Sequence, residues 1–432
     1  MPTPRILFLL YYFPPIKSIA VNRNFSIVKH LRPFFSNSFV FTTRNNRFLP
    51  QEHRNTEGVP TTEITTFDYR TLTHWLSRNR TEVHHNEAVK QRPIVHFAIR
   101  LLDSFPFNLL FHEGGILYSL ICFFKGFRLI KKQGITHIYS SYRPYSDHFT
   151  AYLLTFFFQK LIWIADFRDL HIDPLYQMPL VKPVQHWFNR QILKRATCLT
   201  TVSEGLAFHL KKYHNNVFVL RNGVEIDPSV NSDFSKKTLQ KFTIGYTGAM
   251  FLEERSPKLL LEVVRQLVDE RILTPDNFEI LYAGKDAGIW NEWIKKYDLF
   301  FFFNSKGNVS SAKAKEIQNN VHINLLLTSA LPNYGGVMTG KFYEYLAAQK
   351  PIIVLINGAQ DIEFEAVMSN LNAGCVVYND RSFDPLKAFI LTHFSTFQKT
   401  GHIEPTIRVE QLKTMNWAFQ LEELMHKIEL LH

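Results

Sequence analysis

The chain has 432 residues, 46% hydrophobic and 20% charged, a balance that excludes a disordered polymer. Since one core rarely grows beyond about 250–300 residues, it predicts two folded domains. The formal net charge of +11 favours phosphate-rich partners such as nucleotides or an anionic lipid leaflet. The sequence has no zinc-type spacing, RNA-binding aromatic signature or compact basic helix, which sets nucleic acid aside.

In chain order, Met1-Pro2-Thr3-Pro4-Arg5 and the apolar run from Ile6 lead into Pro14-Pro15 instead of a signal-peptidase site. This predicts a strand and turn in a protein kept in the cytoplasm. Further strands are expected at Ser38 to Thr42, Ile135 to Ser140, Leu161 to Asp166, Cys198 to Val202 and Val217 to Leu220. Helical periodicity marks Asn22 to Leu31, Tyr145 to Phe158 and Val184 to Arg195. Two apolar stretches fall short of spanning a membrane. Gln159 and Lys160 interrupt Phe149 to Ala165, and Phe105 to Phe127 carries His112, Glu113, Lys125 and Gly114-Gly115, so it could at most rest on a membrane surface. Cys122, Cys198 and Cys375 lie in apolar runs and read as buried thiols in a reducing compartment, with no disulfide framework. The phenylalanine clusters at 156–158 and 300–303 read mainly as buried strand, with a membrane-facing patch as the other reading.

Polar residues Val224 to Lys241 predict a linker, after which the alternation restarts. Strands are expected at Phe242 to Tyr246, Phe278 to Ala283, Leu299 to Phe303, His322 to Leu327, Pro351 to Leu355 and Gly374 to Tyr378. Helices are expected at Ser256 to Glu270, Lys313 to Asn319, Thr339 to Ala348, Asp361 to Ser369 and Trp417 to Leu431. The organisation is therefore an α/β protein of two doubly wound, Rossmann-like domains: residues 1–223, a linker 224–241, residues 242–415, and a C-terminal helix 416–432 that could fold back on the first domain.

Ligands of such sheets bind beyond the carboxyl ends of the strands. Five places there draw notice. After the first strand and its Pro-Pro loop, Asn22 and Arg23 open a helix on the acceptor side. Asp166-Phe167-Arg168-Asp169 puts three charges at a strand end. Either Arg168 pairs with a carboxylate to cap the sheet, or a carboxylate takes a sugar hydroxyl while Arg168 orients it or meets phosphate. Gly245-Tyr246-Thr247-Gly248 is a tight strand end, with Arg255 and Lys258 following as cations for a diphosphate. Tyr282-Ala283-Gly284-Lys285 and Lys306 to Ser310 form loops able to hold a base edge-on. The fifth place is Tyr334-Gly335-Gly336-Val337-Met338-Thr339-Gly340-Lys341, running straight into a helix with Glu344 one turn in. Helix-end amides and Lys341 suit a diphosphate, while Glu344 suits the vicinal hydroxyls of a ribose. On the plain structural alternative, Glu344 would pair with Lys341 on the helix surface.

These residues resemble glycosyltransferase family 4 enzymes with the GT-B fold. The resemblance spans nearly the whole chain and rests on the Pro-Pro loop, Asp166 to Asp169, Thr201-Val202-Ser203 with Asn222-Gly223, Gly245 to Gly248, and Gly340 to Ala348 before Lys350-Pro351. It implies two domains facing across a cleft, and a metal-independent, retaining, hexosyltransferase-type enzyme with no cofactor. Such an enzyme moves a sugar from a nucleotide donor, UDP-sugar preferred over GDP-sugar, to a glycan or lipid-linked glycan in polysaccharide or cell-envelope synthesis. The expected location is the cytoplasm, with the inner membrane face as a candidate docking surface. Residue by residue, Asp166, Arg168, Asp169 and Lys341 are the catalytic candidates. Gly248, Arg255, Lys258, Gly284, Gly335, Gly336, Thr339, Gly340, Lys341 and Glu344 are the donor-site candidates.

Three departures from the family pattern stand out. Glu344 matches the second Glu of the family's Glu-x7-Glu motif, but the first falls on Gly336, where backbone amides of Gly335 to Val337 could substitute. Ala249 stands where the family often has Arg, with Arg255 nearest to replace it, and Lys17-Ser18-Ile19-Ala20 replaces the usual N-terminal glycine pair. A nucleotide-sugar epimerase of similar fold and a non-catalytic nucleotide-sugar-binding protein are the competing readings.

Overall fold

The computed structural model describes residues 3–44, 51, 56, 58–65, 106, 108–111, 114–170, 172, 182–225, 239–250, 255–332 and 335–431. The chain divides into two compact units. One comprises Met1–Val202, Leu206–Arg221 and Leu421–His432, and the other Ser203–Gly205 and Asn222–Gln420. Most of the segment read as a linker, residues 226–238, lies outside the described residues.

The first unit is built on seven parallel strands: β1 (Arg5–Leu9), β2 (Asn37–Thr43), β3 (Thr61–Ile64), β4 (His137–Tyr142), β5 (Ile162–Phe167), β6 (Cys198–Thr201) and β7 (Val217–Val219). Their spatial order is β3-β2-β1-β4-β5-β6-β7. Every residue of β4 is buried, as a parallel strand covered by helices on both faces requires. The first helix starts at Ile19, where the Ser18 hydroxyl accepts a hydrogen bond from the Val21 amide. Asn22 and Arg23 therefore lie inside the helix and do not open it.

The second unit repeats the plan with β8 (Phe242–Thr247), β9 (Phe278–Ala283), β10 (Phe303–Ser305), β11 (Ile323–Ala330), β12 (Ile352–Gly358) and β13 (Gly374–Tyr378), in the order β10-β9-β8-β11-β12-β13. The helix Lys258–Asp269 buries Leu259, Leu260, Leu261, Val263, Val264 and Leu267 against this sheet. In each sheet the strand order reverses beside the first strand, between β1 and β4 and between β8 and β11. A crevice at the strands' carboxyl ends is expected at each reversal. The fold is α/β, two doubly wound Rossmann-like units, as the alternation of apolar runs and helical patterns predicts.

Two expectations are corrected. Leu299 to Phe303 is not a strand: Phe300–Phe302 is a 3-10 turn and only Phe303–Ser305 pairs, at the edge. Leu299 and Phe302 are buried while Phe300 and Phe301 face water, a spacing of three that suits a helical turn. The phenylalanine clusters are likewise not wholly interior, since Phe156 and Phe157 are also exposed. No helix among the described residues is long and apolar enough to cross a membrane.

Candidate functional site

In the second unit, β8 delivers Gly248 and the loop after β11 delivers Gly335 to Thr339, one on each side of the reversal point. Gly248 has φ +109°, and a Cβ placed there would lie 2.6 Å from the Lys341 Nζ. Only glycine lets that ammonium approach the strand end. Lys341 Nζ donates to the Tyr246 hydroxyl at 3.0 Å and to the Ala249 carbonyl at 3.4 Å, and sits 4.4 Å above the Tyr246 ring. Burial, with the nearby Arg255 charge adding to it, pulls the Lys341 pKa down to about 8 against the opposing pull of Glu344 and Asp286. Arg255 Nη1 donates to the same Ala249 carbonyl at 3.5 Å. Two cations thus converge on one strand end, a concentration of positive charge suited to an anion.

The helix Gly340–Ala347 begins here. Thr339 holds the N-cap position with extended geometry, yet its side chain caps nothing, and its buried Oγ1 has no hydrogen-bond partner. Capping hydroxyls normally satisfy an amide of the first turn; here the Phe342 amide donates to the Thr339 carbonyl at 3.0 Å instead, and the helix start has no side-chain cap. A Cβ at Gly340 would meet nothing within 4 Å. The fold itself does not demand glycine there, and the missing side chain leaves that helix start open to close approach. We therefore expect Gly340→Val to unfold at the wild-type temperature while losing nucleoside diphosphate affinity by at least about tenfold, about 1.4 kcal/mol, in paired calorimetry and thermal unfolding. Equal affinity would detach the glycine from any ligand.

Glu344 is exposed, and one of its oxygens, Oε2, accepts a hydrogen bond at 2.9 Å from Gln318 Nε2. The same nitrogen donates to Thr247 Oγ1 at 2.9 Å, tying the carboxylate to the end of β8. Glu344 is held by Gln318, while Lys341 turns to Tyr246 and Ala249, so the surface pair between the two is not formed. Gln318 is the member that sequence reasoning misses, because one buried amide in the polar helix Ser311–Asn320 carries no local signal.

Other candidates fall elsewhere. Lys258 is exposed, its Nζ 3.8 Å from Glu262 one turn along its own helix, and it is not brought to the two cations. Gly284 is a packing residue: its amide donates to the Gly307 carbonyl at 2.8 Å, and a Cβ would strike Gly248 O and the Tyr282 hydroxyl. The Gly336 amide is taken by both Asp361 carboxylate oxygens at 2.9 Å, which corrects the expectation that this amide could stand in for the absent Glu. Gly336 has φ +76°, and a Cβ there would run into the Glu363 carboxylate. Side-chain room at position 336 is already filled by Glu363, from the helix Ile362–Leu371 that follows β12. Gly335 continues the same loop, half-buried.

In the first unit, Asp166 ends β5 with 0% exposure and Arg23 has 4%. Arg23 Nη2 donates to Asp166 Oδ1 at 2.7 Å and Nε to Oδ2 at 3.1 Å, with Nη2 also on the Leu220 carbonyl at 2.9 Å. Thr200 and Ser141 hydroxyls donate to the same carboxylate at 2.8 and 3.4 Å. Burial would raise the Asp166 pKa, but Arg23 and Thr200 outweigh it and hold the carboxyl below the usual range. Neither residue has a face left for a ligand. This corrects the assignments of Asp166 as catalytic and Arg23 as an acceptor contact, and it replaces Arg168 with Arg23 as the ion-pair partner. Arg168 is half-buried, its Nε donating to the Tyr142 carbonyl at 3.0 Å, while Asp169 and Asn22 are exposed.

No family model matches the sequence, and no curated protein does. Solved structures are similar over the whole chain. A glycosyltransferase from Rickettsia africae has 13% identity and a TM-score of 0.59, covering 100% of this chain and 99% of that one. An alpha,alpha-trehalose-phosphate synthase (UDP-forming) from Burkholderia xenovorans, in complex with glucose-6-phosphate, has 11% identity and a TM-score of 0.54, covering 98% and 100%. WaaG, a glycosyltransferase involved in lipopolysaccharide biosynthesis, has 10% identity and a TM-score of 0.51, covering 98% and 99%. The shared architecture is GT-B.

Proposed function

We propose that the chain is a glycosyltransferase whose second unit binds a nucleoside diphosphate sugar. The observation carrying this reading is the convergence of Lys341, Arg255 and an uncapped helix start at the reversal point of the second sheet. Cleaving a sugar from a diphosphate leaves negative charge on the departing phosphate, and two cations with helix amides aimed at it lower that barrier. This charge is supplied without calling on a metal ion. Glu344, fixed by Gln318 at one oxygen, is assigned to the ribose hydroxyls.

Retention of anomeric configuration follows the resemblance, with the leaving phosphate taking the acceptor proton. A glycan or lipid-linked glycan is the proposed acceptor, with Arg168 and Asp169 beyond β5 as its candidate contacts. Uridine is the proposed base, a choice supported by similar structures described as UDP-forming or as bound with UDP-2-fluoro glucose.

Thermal unfolding against UDP, GDP and ADP tests this. A nucleotide at 100 times its dissociation constant adds about 2.7 kcal/mol, raising the Tm by several degrees. UDP should give the largest rise, and Glu344→Ala should shrink it. No shift with any base at millimolar concentration would sink the reading, while a shift without turnover of any UDP-sugar would favour the non-catalytic binder.

A further inference from the structure

The helix Gly115–Gln133 buries Tyr118, Ser119, Cys122, Gly126 and Ile130. Its exposed side presents Leu117, Leu120 and Phe124, followed by Arg128 and Lys131. At about 100° per residue these five fall within about 80° of arc, an apolar stripe that turns cationic along one line. The end of the neighbouring helix Ser146–Phe157 widens it. Phe157 packs 5.5 Å from Phe123 and 5.8 Å from Phe127, and Arg195 lies 4.9 Å over the Phe156 ring. Phe124, Phe156 and Phe157 are nonetheless 60%, 56% and 58% exposed.

Along these two helices, among the described residues, the exposed charge has one sign. Between Gly114 and Ala165 the single acidic residue is Asp147, which is buried, whereas Lys125, Arg128, Lys131, Lys132 and Lys160 are all exposed. A second copy of the chain would bring the same cationic rim against its own. A bilayer with anionic headgroups matches both features, taking rings into the acyl boundary and cations onto phosphates.

We propose that this face docks on an anionic lipid surface, with Leu117, Leu120, Phe124 and Phe157 entering the acyl boundary and Arg128, Lys131 and Lys132 meeting lipid phosphates. The inference stands apart from the nucleotide site. The test is sedimentation of the full chain with vesicles of phosphatidylcholine alone or mixed with phosphatidylglycerol. The anionic vesicles should bind at least about tenfold better, and rising salt should weaken the binding. Phe124→Ser combined with Phe157→Ser should lower that binding at least about tenfold. Arg128→Gln combined with Lys131→Gln should erase the preference for anionic lipid, both pairs unfolding at the wild-type temperature. The proposal is overturned if wild type ignores anionic vesicles or if both variant pairs bind like wild type. It is also overturned if the variants change only self-association without vesicles, which assigns the face to a second copy.

Discussion

Lys341→Met should lower nucleoside diphosphate affinity and donor turnover by about a hundredfold, about 2.7 kcal/mol, while leaving the Tm of the free protein no lower. One charge-assisted contact in a partly closed site contributes about 1.5–3 kcal/mol. The stability half follows from the displaced pKa. In the fold Lys341 loses its proton near pH 8, whereas in the unfolded chain it holds it to about 10.4. Across that window the unfolded state carries more protons, so stability rises with pH from about 8 to about 10.4 and is lowest with the ammonium charged. A neutral side chain removes that strain. The same pKa gives the binding profile. Affinity should be flat below pH 8, then fall by up to about tenfold per unit above it, and Lys341→Met should be flat throughout. Calorimetric titration of UDP from pH 6.5 to 9.5, as about three decades of proton activity, reads both. A wild-type profile without a break near 8 would remove Lys341 from the phosphate.

Arg23→Met should destabilise the first unit by about 3–5 kcal/mol, because it leaves the Asp166 carboxylate buried with its charge uncompensated. For a unit of this size that corresponds to a Tm loss of roughly 6–20 °C. Adding Asp166→Asn should recover most of it, since the orphaned charge goes and Thr200 keeps an acceptor. The acid limb has a defined sign. Asp166 titrates below the ordinary carboxylate range, so its contribution is full above about pH 4 and is lost as pH falls through the lowered value. Scanning calorimetry of the single and double variants decides the matter, and an Arg23→Met protein as stable as wild type would show that the pair carries no net weight.

Much of this was legible because parallel strands buried on both faces leave continuous apolar runs. β9 and β13 have the bounds that the pattern predicts, Phe278–Ala283 and Gly374–Tyr378. What escaped is physical as well. β3, Thr61–Ile64, is a short edge strand of mixed polarity, and the helix Asp384–Thr400 buries only Leu386, Ile390 and Phe394, too sparse a stripe to stand out. In the site, Lys341 and Arg255 could be named because glycine loops and cations leave marks in sequence. The roles of Arg23 and Gln318 could not, because each depends on a partner far away in the chain, 143 residues for Arg23 and Asp166 and 71 for Gln318 and Thr247.

The membership of Leu421–His432 in the first unit has a consequence for biogenesis. Leu421, Leu424, Met425 and Ile428 form a buried helical stripe. Translation delivers the whole of Asn222–Gln420 before that stripe exists, an interval of about 10–40 s at ordinary elongation rates. The first unit emerges early but is completed late, and in the interval its uncovered apolar surface is open to chaperones. Expression of residues 1–223 alone would make that transient state permanent.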